Sequence, residues 1–265
     1  MFIDTHCHLD FQSFAGDLPD VLTRAKQNGV YYFIDPGLDL VSSQNALSVA
    51  HHHPEIYAAV GIHPNDLNET SLNSAKSLGN LLQDPKCVAV GEIGLDYFHN
   101  RSDHEMQIRV FILQIDLALT NKLPVIIHSR ESIKDVIHQL KIFYKTPNTN
   151  SPPGVIHSFE GTIEDAYQII ELGFLLGVGG PITYKNSHTK EAVVKEIPLS
   201  SIVLETDCPF LSPAPLRGTR NEPANIKIIA EKIAKIKECD IKQVEIQTTK
   251  NASALFRIGE EIDLN

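Results

Sequence analysis

The chain has 265 residues, 42% of them hydrophobic, with a net charge of -10 and four cysteines. That size suits one large α/β domain, and the charge excludes a broad nucleic-acid-coating surface, which needs a basic stripe. The longest apolar runs fall far short of a bilayer span, no basic-then-apolar leader opens the chain, and Cys7, Cys87, Cys208 and Cys239 form no CxxC pair, so the expected setting is the reducing cytoplasm with free thiols.

Short β-rich runs alternate with helical patterns along the whole length. The first predicted strand is FIDTHCH (2–8), which places His6 and His8 on one face about 7 Å apart. YYFIDPG (31–37), IYAAVGIHP (56–64) and CVAVGEIG (87–94) follow. A helix is predicted over 104–121, with Ile108, Phe111, Ile112, Ile115 and Leu119 as its apolar stripe. LPVIIHSR (123–130), GVIHSF (154–159), FLLGVGG (174–180) and IVLETDCP (202–209) complete eight strands. Between the fifth and sixth, KTPNTNSPPG (145–154) reads as a plain connecting loop. Eight strands alternating with helices predict a parallel (β/α)8 TIM barrel, one domain over 1–265. A doubly wound open sheet fits less well, because no Gly-rich dinucleotide fingerprint follows the first strand.

Active sites of such barrels gather at the C-terminal strand ends. The polar residues there are His6, His8, His63, Glu92, His128, His157 and Asp207. Any one histidine reads as structural, but the set reads as a metal site. Imidazoles suit Zn, Mn, Fe or Ni better than Mg alone. Glu92, with two oxygens, is placed as a bridge between two divalent cations. His6, His8 and Asp207 complete one cation site, and His128 and His157 the other. Two such cations can share a water and stabilise both oxygens of a displacement, with Asp207 taking the proton. Against Glu92, Asp207 and a hydroxide, the local charge stays at about +1 to +2, enough to attract a phosphodiester to an acidic chain over a short range.

Together, HCHLD, GIHP, GEIGLDY, LPVIIHSR, ETDCP and RGTRNEP resemble the TatD-type metal-dependent deoxyribonucleases of the amidohydrolase superfamily, in order from residue 3 to NASALF (251–256). The resemblance implies a TIM-barrel hydrolase that cleaves DNA, with 3'-5' exonuclease action on single-stranded ends. By position, His6, His8, Glu92, His128, His157 and Asp207 fall on the family's metal ligands, and His63 on its substrate-side histidine. HSFEG (157–161) departs from the usual HCFTG and adds Glu160 near the mouth. Two other readings remain open: a metallohydrolase of another ester, amide or aminoacyl bond, and a metal-stabilised binding protein without catalysis.

The remaining candidates each carry a plain alternative. Arg217 and Arg220, in the loop after the eighth strand, could grip phosphate or be solvated; Asn221 to Pro223 should start a helix. Lys185 with Tyr184, and Tyr97 with Phe98, could touch substrate but favour local packing. His51 to His53 fit a solvated helix end before Pro54. Asp4 and Glu205 are expected to orient ligands or fill the barrel's polar layer, and Cys7 to face the helices.

Overall fold

Strands β1 (Phe2–Asp4), β2 (Val30–Pro36), β3 (Ile56–Val60), β4 (Cys87–Asp96), β5 (Val125–Arg130), β6 (Gly154–Ile156), β7 (Leu175–Val178) and β8 (Ile202–Leu204) pair in parallel, each with the next. The computed structural model describes residues 1–67, 71–145 and 151–259. Of the predicted 145–154 loop, 146–150 lie outside the described residues. The seam between β8 and β1 is bridged past the strand ends: Thr5 N–H donates to Leu204 O (3.0 Å), Asp207 N–H to His6 O (2.8 Å) and His8 N–H to Cys208 O (2.8 Å). The predicted barrel is therefore present.

Helices surround it: α1 (Leu18–Gln27), α2 (Leu40–His52), α3 (Ser71–Ser77), α4 (His104–Asn121), α5 (Ile133–Phe143), α6 (Ile163–Glu171), α7 (His188–Glu196), α8 (Ile226–Lys237) and α9 (Ile241–Phe256). Their starts carry the expected chemistry. Asp103 caps α4 by accepting from Met106 N–H (3.0 Å), and Thr162 caps α6 through Asp165 N–H (3.2 Å). No described helix is long and apolar enough to cross a membrane.

Strand alternation splits the core in two. Ile3, Ile34, Ala59, Ile126, Val155, Leu175 and Val203 fill the lower lumen, where Leu255 and Phe256 of α9 close the opening. Their odd-even partners, such as Phe2, Phe33, Val125, Ile156 and Leu204, pack against the helices. Following the lumen parity upward from Ile126, Val155 and Val203 leads to His128, His157 and then Glu205 and Asp207. The same alternation that buries the bottom layer thus aims these donors inward at the top. Cys7 joins the helix-facing core, as expected.

Two expectations need correction. Regular pairing ends earlier than predicted at β1, β3, β6 and β8, so His6, His8, His63, His157 and Asp207 stand on the irregular extensions above the strands. The buried face of α4 is also rotated: Gln107, Val110, Phe111, Gln114, Ile115 and Ala118 are buried, while Leu119 is 42% exposed. The two glutamines explain the shift. Gln114 closes both backbone groups of Ile62 (2.7 and 3.1 Å), and Gln107 does the same for Asp96 (2.8 and 3.0 Å). Buried amides here satisfy strand-end peptide groups that would otherwise be orphaned.

Candidate metal centre

At the barrel top, Glu92 is 3% exposed and its two oxygens face different histidines. Oε2 lies 3.3 Å from His6 Nε2. Oε1 lies 2.9 Å from His128 Nδ1 and 3.6 Å from His63 Nε2. On the other side, Asp207 Oδ1 lies 3.4 Å from His8 Nε2, 3.7 Å from His6 Nε2 and 3.9 Å from His157 Nε2. The sequence-predicted donors, remote in the chain, therefore meet at one mouth.

The chemistry of this set fits divalent cations. Donors bound to one tetrahedral ion at metal–ligand distances of ~2.0–2.1 Å stand roughly 3.3 Å apart. The Glu92–His6 and Asp207–His8 separations match that spacing. His6 is fully buried and, among the described residues, neither ring nitrogen has a hydrogen-bond partner. Leaving such groups unpaired costs about 1–3 kcal/mol each, a cost that a bound cation removes. Three donor groups can hold an ion here: His6, His8 and Glu92; His63, Glu92 and His128; and His6, His157 and Glu205.

One detail departs from the expected partition. The His157 ring stacks on His6 at 3.5 Å between centroids, whereas it is 6.5 Å from His128. His157 thus stands with the His6 group rather than beside His128. Its Nδ1 is 3.1 Å from Glu205 Oε2, and Glu205 Oε1 accepts from Ser158 N–H (2.6 Å). Glu205 orients the ring, as expected of a carboxylate behind a ligand. Gly177 makes room for it, since a Cβ there would lie 2.3 Å from Glu205 Oε2. Asp4 takes the other expected part, filling the barrel's polar layer. It accepts from Thr206 N–H (3.0 Å) and Thr206 Oγ1–H (2.6 Å), tying the end of β1 to the end of β8 instead of touching His8. Burial pushes its carboxyl up to about 8.

The electrostatics follow from this packing. Burial alone would raise Glu92, but His6, His63 and His128 outweigh it and hold the carboxyl well below its ordinary range. Burial likewise opposes ionisation of Asp207, yet the His8 contact, His157 and His6 hold it low. For His157, burial favours the neutral ring, but Glu205, Asp207 and Glu92 raise it to about 10. His63 is lowered by burial and stays neutral. Its Nδ1 accepts from Asn65 N–H (3.2 Å), so the ring proton sits on Nε2 and points into the site.

Asp96 is the main residue that the sequence analysis missed. It is fully buried, its Oδ2 is 3.1 Å from His128 Nε2, and it also binds His99 Nδ1 (2.7 Å). A signal existed, because Asp96 lies four residues after Glu92 within β4. Its place behind His128 predicts that Asp96→Asn weakens cation binding about 10–100-fold with the fold retained. Titration calorimetry checks this; unchanged affinity would remove Asp96 from the centre.

The candidate substrate contacts are arranged unequally. Arg220 is not available as expected. Its amino groups donate to Asp17 (2.9 and 2.6 Å) and Glu222 (2.9 Å), and Arg24 joins through Glu222 (2.7 Å). This guanidinium locks the β8 loop to α1. Arg217 is exposed and stands 4.4 Å over the Tyr184 ring, and Lys185, next to Tyr184 in the chain, is exposed too. Tyr97 packs on His104 (3.9 Å) and donates to Asp135 (2.8 Å), whereas Phe98 is 53% exposed. Glu160 is neutralised by Arg130 (3.0 Å) and Lys190 (3.1 Å). The expected helix start is present one residue on: Glu222 stands at the cap of a short 3-10 turn, Pro223–Asn225, that leads into α8, while the Asn221 amide holds Thr206 O (2.8 Å) and Phe210 O (2.7 Å), fixing the loop that carries Asp207. His51 and His52 cap a helix end, bonded to Asp84 (2.9 Å) and Ser48 O (2.7 Å).

Comparison with known proteins agrees with this geometry. The sequence matches the family described as TatD related DNase over residues 3–257. It is 40% identical to the metal-dependent hydrolase YabD of Bacillus subtilis, across 98% of this chain and 100% of that protein. It is 34% identical to the 3'-5' ssDNA/RNA exonuclease TatD of Edwardsiella piscicida, across 97% of this chain and 100% of that one. The crystal structure of YjjV, a TatD homolog from Escherichia coli, superposes with a TM-score of 0.91 at 34% identity, covering 97% of this chain and 98% of that one. With its eight-stranded barrel and converging donors, the chain belongs to the TatD-related DNase family and is a metal-dependent hydrolase.

Proposed function

We propose that the protein is a two-metal phosphodiesterase that removes nucleotides from single-stranded DNA, working 3' to 5'. The observation that carries this reading is Glu92, whose two oxygens serve separate histidine groups, as a carboxylate bridging two cations must. Two divalent cations at these donors supply Lewis acidity, lowering the pKa of a water and neutralising charge on the phosphate. Zn, Mn, Fe, Ni and Mg all fit the nitrogen and oxygen donors.

The chain's own residues do the rest. His6, His8, His157 and Asp207 hold one side of the centre, and His63 and His128 face the other across Glu92. Asp207 accepts the proton of the attacking water. The Nε2–H of His63 donates to a phosphate oxygen. Arg217 and Lys185 receive the neighbouring phosphates at the mouth, while the Arg220 ion pairs keep the β8 loop in place. An acidic chain repels an extended duplex beyond about a Debye length, so a strand end suits this cleft better. The name of the Edwardsiella relative points the same way.

A single-stranded oligonucleotide labelled at its 5' end, incubated with Mn2+ or Mg2+, should shorten one nucleotide at a time from the 3' end. Simple carboxylic esters and lactones serve as the comparison. Turnover of those esters with the oligonucleotide intact would replace DNA as the substrate while leaving the metal centre standing.

A further inference from the structure

Next to His8, outside the set of donors around Glu92, lie acids that the hydrolytic centre does not use. Asp10 sits just beyond His8 in the chain, and Asp35 stands near the end of β2. Ligand atoms of His8, Asp10 and Asp35 all lie within 4.8 Å of one another. Asp35 shares the strand parity of Phe33, which packs towards the helices, so it belongs behind the barrel wall and not in the lumen.

The polar atoms there are unusual. Asp35 is fully buried, and among the described residues neither of its carboxylate oxygens makes a well-formed hydrogen bond, the Asp10 carboxyl and the N–H groups of Leu9 and Asp10 approaching it only loosely. Asp10 Oδ1 has none either. Independently, His8 is 3% exposed, its Nε2 faces Asp207, and its Nδ1 is buried without a partner among the described residues. Buried polar atoms in folded chains are satisfied by protein, water or ion. Two carboxylates and an imidazole edge, left open at one place, ask for a positive ligand.

We propose that Asp10 and Asp35 hold a further hard divalent cation, Mg2+ or Mn2+, separate from the pair at Glu92, with His8 Nδ1–H donating to a water on that ion. The donors are mainly carboxylate oxygens, the preference of hard cations. At metal–oxygen distances of ~2.1 Å, ligands around an octahedral ion stand roughly 3.0 to 4.2 Å apart, which the cluster accommodates. Asp10 is only partly buried, so the ion can enter from solvent and keep several waters, as Mg2+ does. Asp39, the exposed cap of α2, adds negative field at Asp10. The ion ties the segment that follows β1 to the end of β2 behind His8 and fixes the imidazole from its far side.

The test counts and locates ions. Wild-type protein equilibrated with Mn2+ should bind one equivalent more than Asp10→Asn and Asp35→Asn, and Mn2+-soaked crystals should show an anomalous peak between Asp10 and Asp35. The count is a difference between variants, so it stands whatever number of ions the Glu92 centre takes. Equal counts in wild type and Asp10→Asn, or two carboxyls in direct contact around a shared proton with no peak between them, would overturn the site. Asp10→Asn, at a partly buried loop position, decides alone should Asp35→Asn fail to fold.

Discussion

Asp207→Asn should lower hydrolysis by about 10²–10⁴-fold, the range for removing a positioned general base, and leave the fold intact. Asp207 occupies a left-handed backbone conformation (φ 57°), which Asp and Asn both tolerate better than other residues with a Cβ. The substitution therefore keeps the turn that Asn221 holds through Thr206 O and Phe210 O. It removes the negative charge facing His8, His6 and His157, and with it the acceptor for a water proton. Turnover of a labelled oligonucleotide and the melting temperature, measured on one preparation, check both halves. Turnover within twofold of wild type would strike Asp207 from the mechanism. A collapsed melting transition would make it a structural residue instead.

Much of this centre is legible in the sequence because a parallel barrel turns chain order into position. Each strand ends at the same face, so a polar residue closing a β-rich run is placed before any contact is known. His128, His157 and Asp207 follow from that rule together with the alternation begun at Ile126, Val155 and Val203. What stays hidden depends on partners far apart in the chain. Arg220 reads as a phosphate grip until Asp17, 203 residues away, is seen to take its donors. Gln107 and Gln114 fall outside the predicted apolar stripe of α4, because hydropathy carries no record of the strand-end peptide groups they close. Asp35 looks like an ordinary strand-end acid; only the fold brings it to Asp10. The stacking of His157 on His6 is likewise a matter of side-chain placement, which strand order does not specify.

Metal uptake should strengthen about 100-fold per pH unit between roughly pH 6 and 9, because two protons must leave as the cations bind. In the metal-free protein, burial disfavours charge on His128, but Asp96 and Glu92 raise it to about 9. Burial opposes charge on His157 too, but Glu205, Asp207 and Glu92 raise it to about 10. At neutral pH both rings thus carry the extra proton, and each must lose it before its free nitrogen can bind a cation. The same shifts make the metal-free and metal-loaded proteins respond differently to pH. Both folded values exceed the ordinary 6.5, so the protonated rings stabilise the metal-free fold fully below pH 6.5. That contribution is lost as pH rises through about 9 and about 10. In the metal-loaded protein the tighter binding offsets that loss, because above pH 6.5 neither the loaded fold nor the unfolded chain holds these protons, so its stability stays nearly level from there to pH 9. Calorimetric titration with Zn2+ at pH 7, in buffers of different ionisation enthalpy, reads the released protons directly. Two protons per filled centre are expected, and release of none would mean that His128 and His157 do not bind the metal through nitrogens held protonated by these carboxylates.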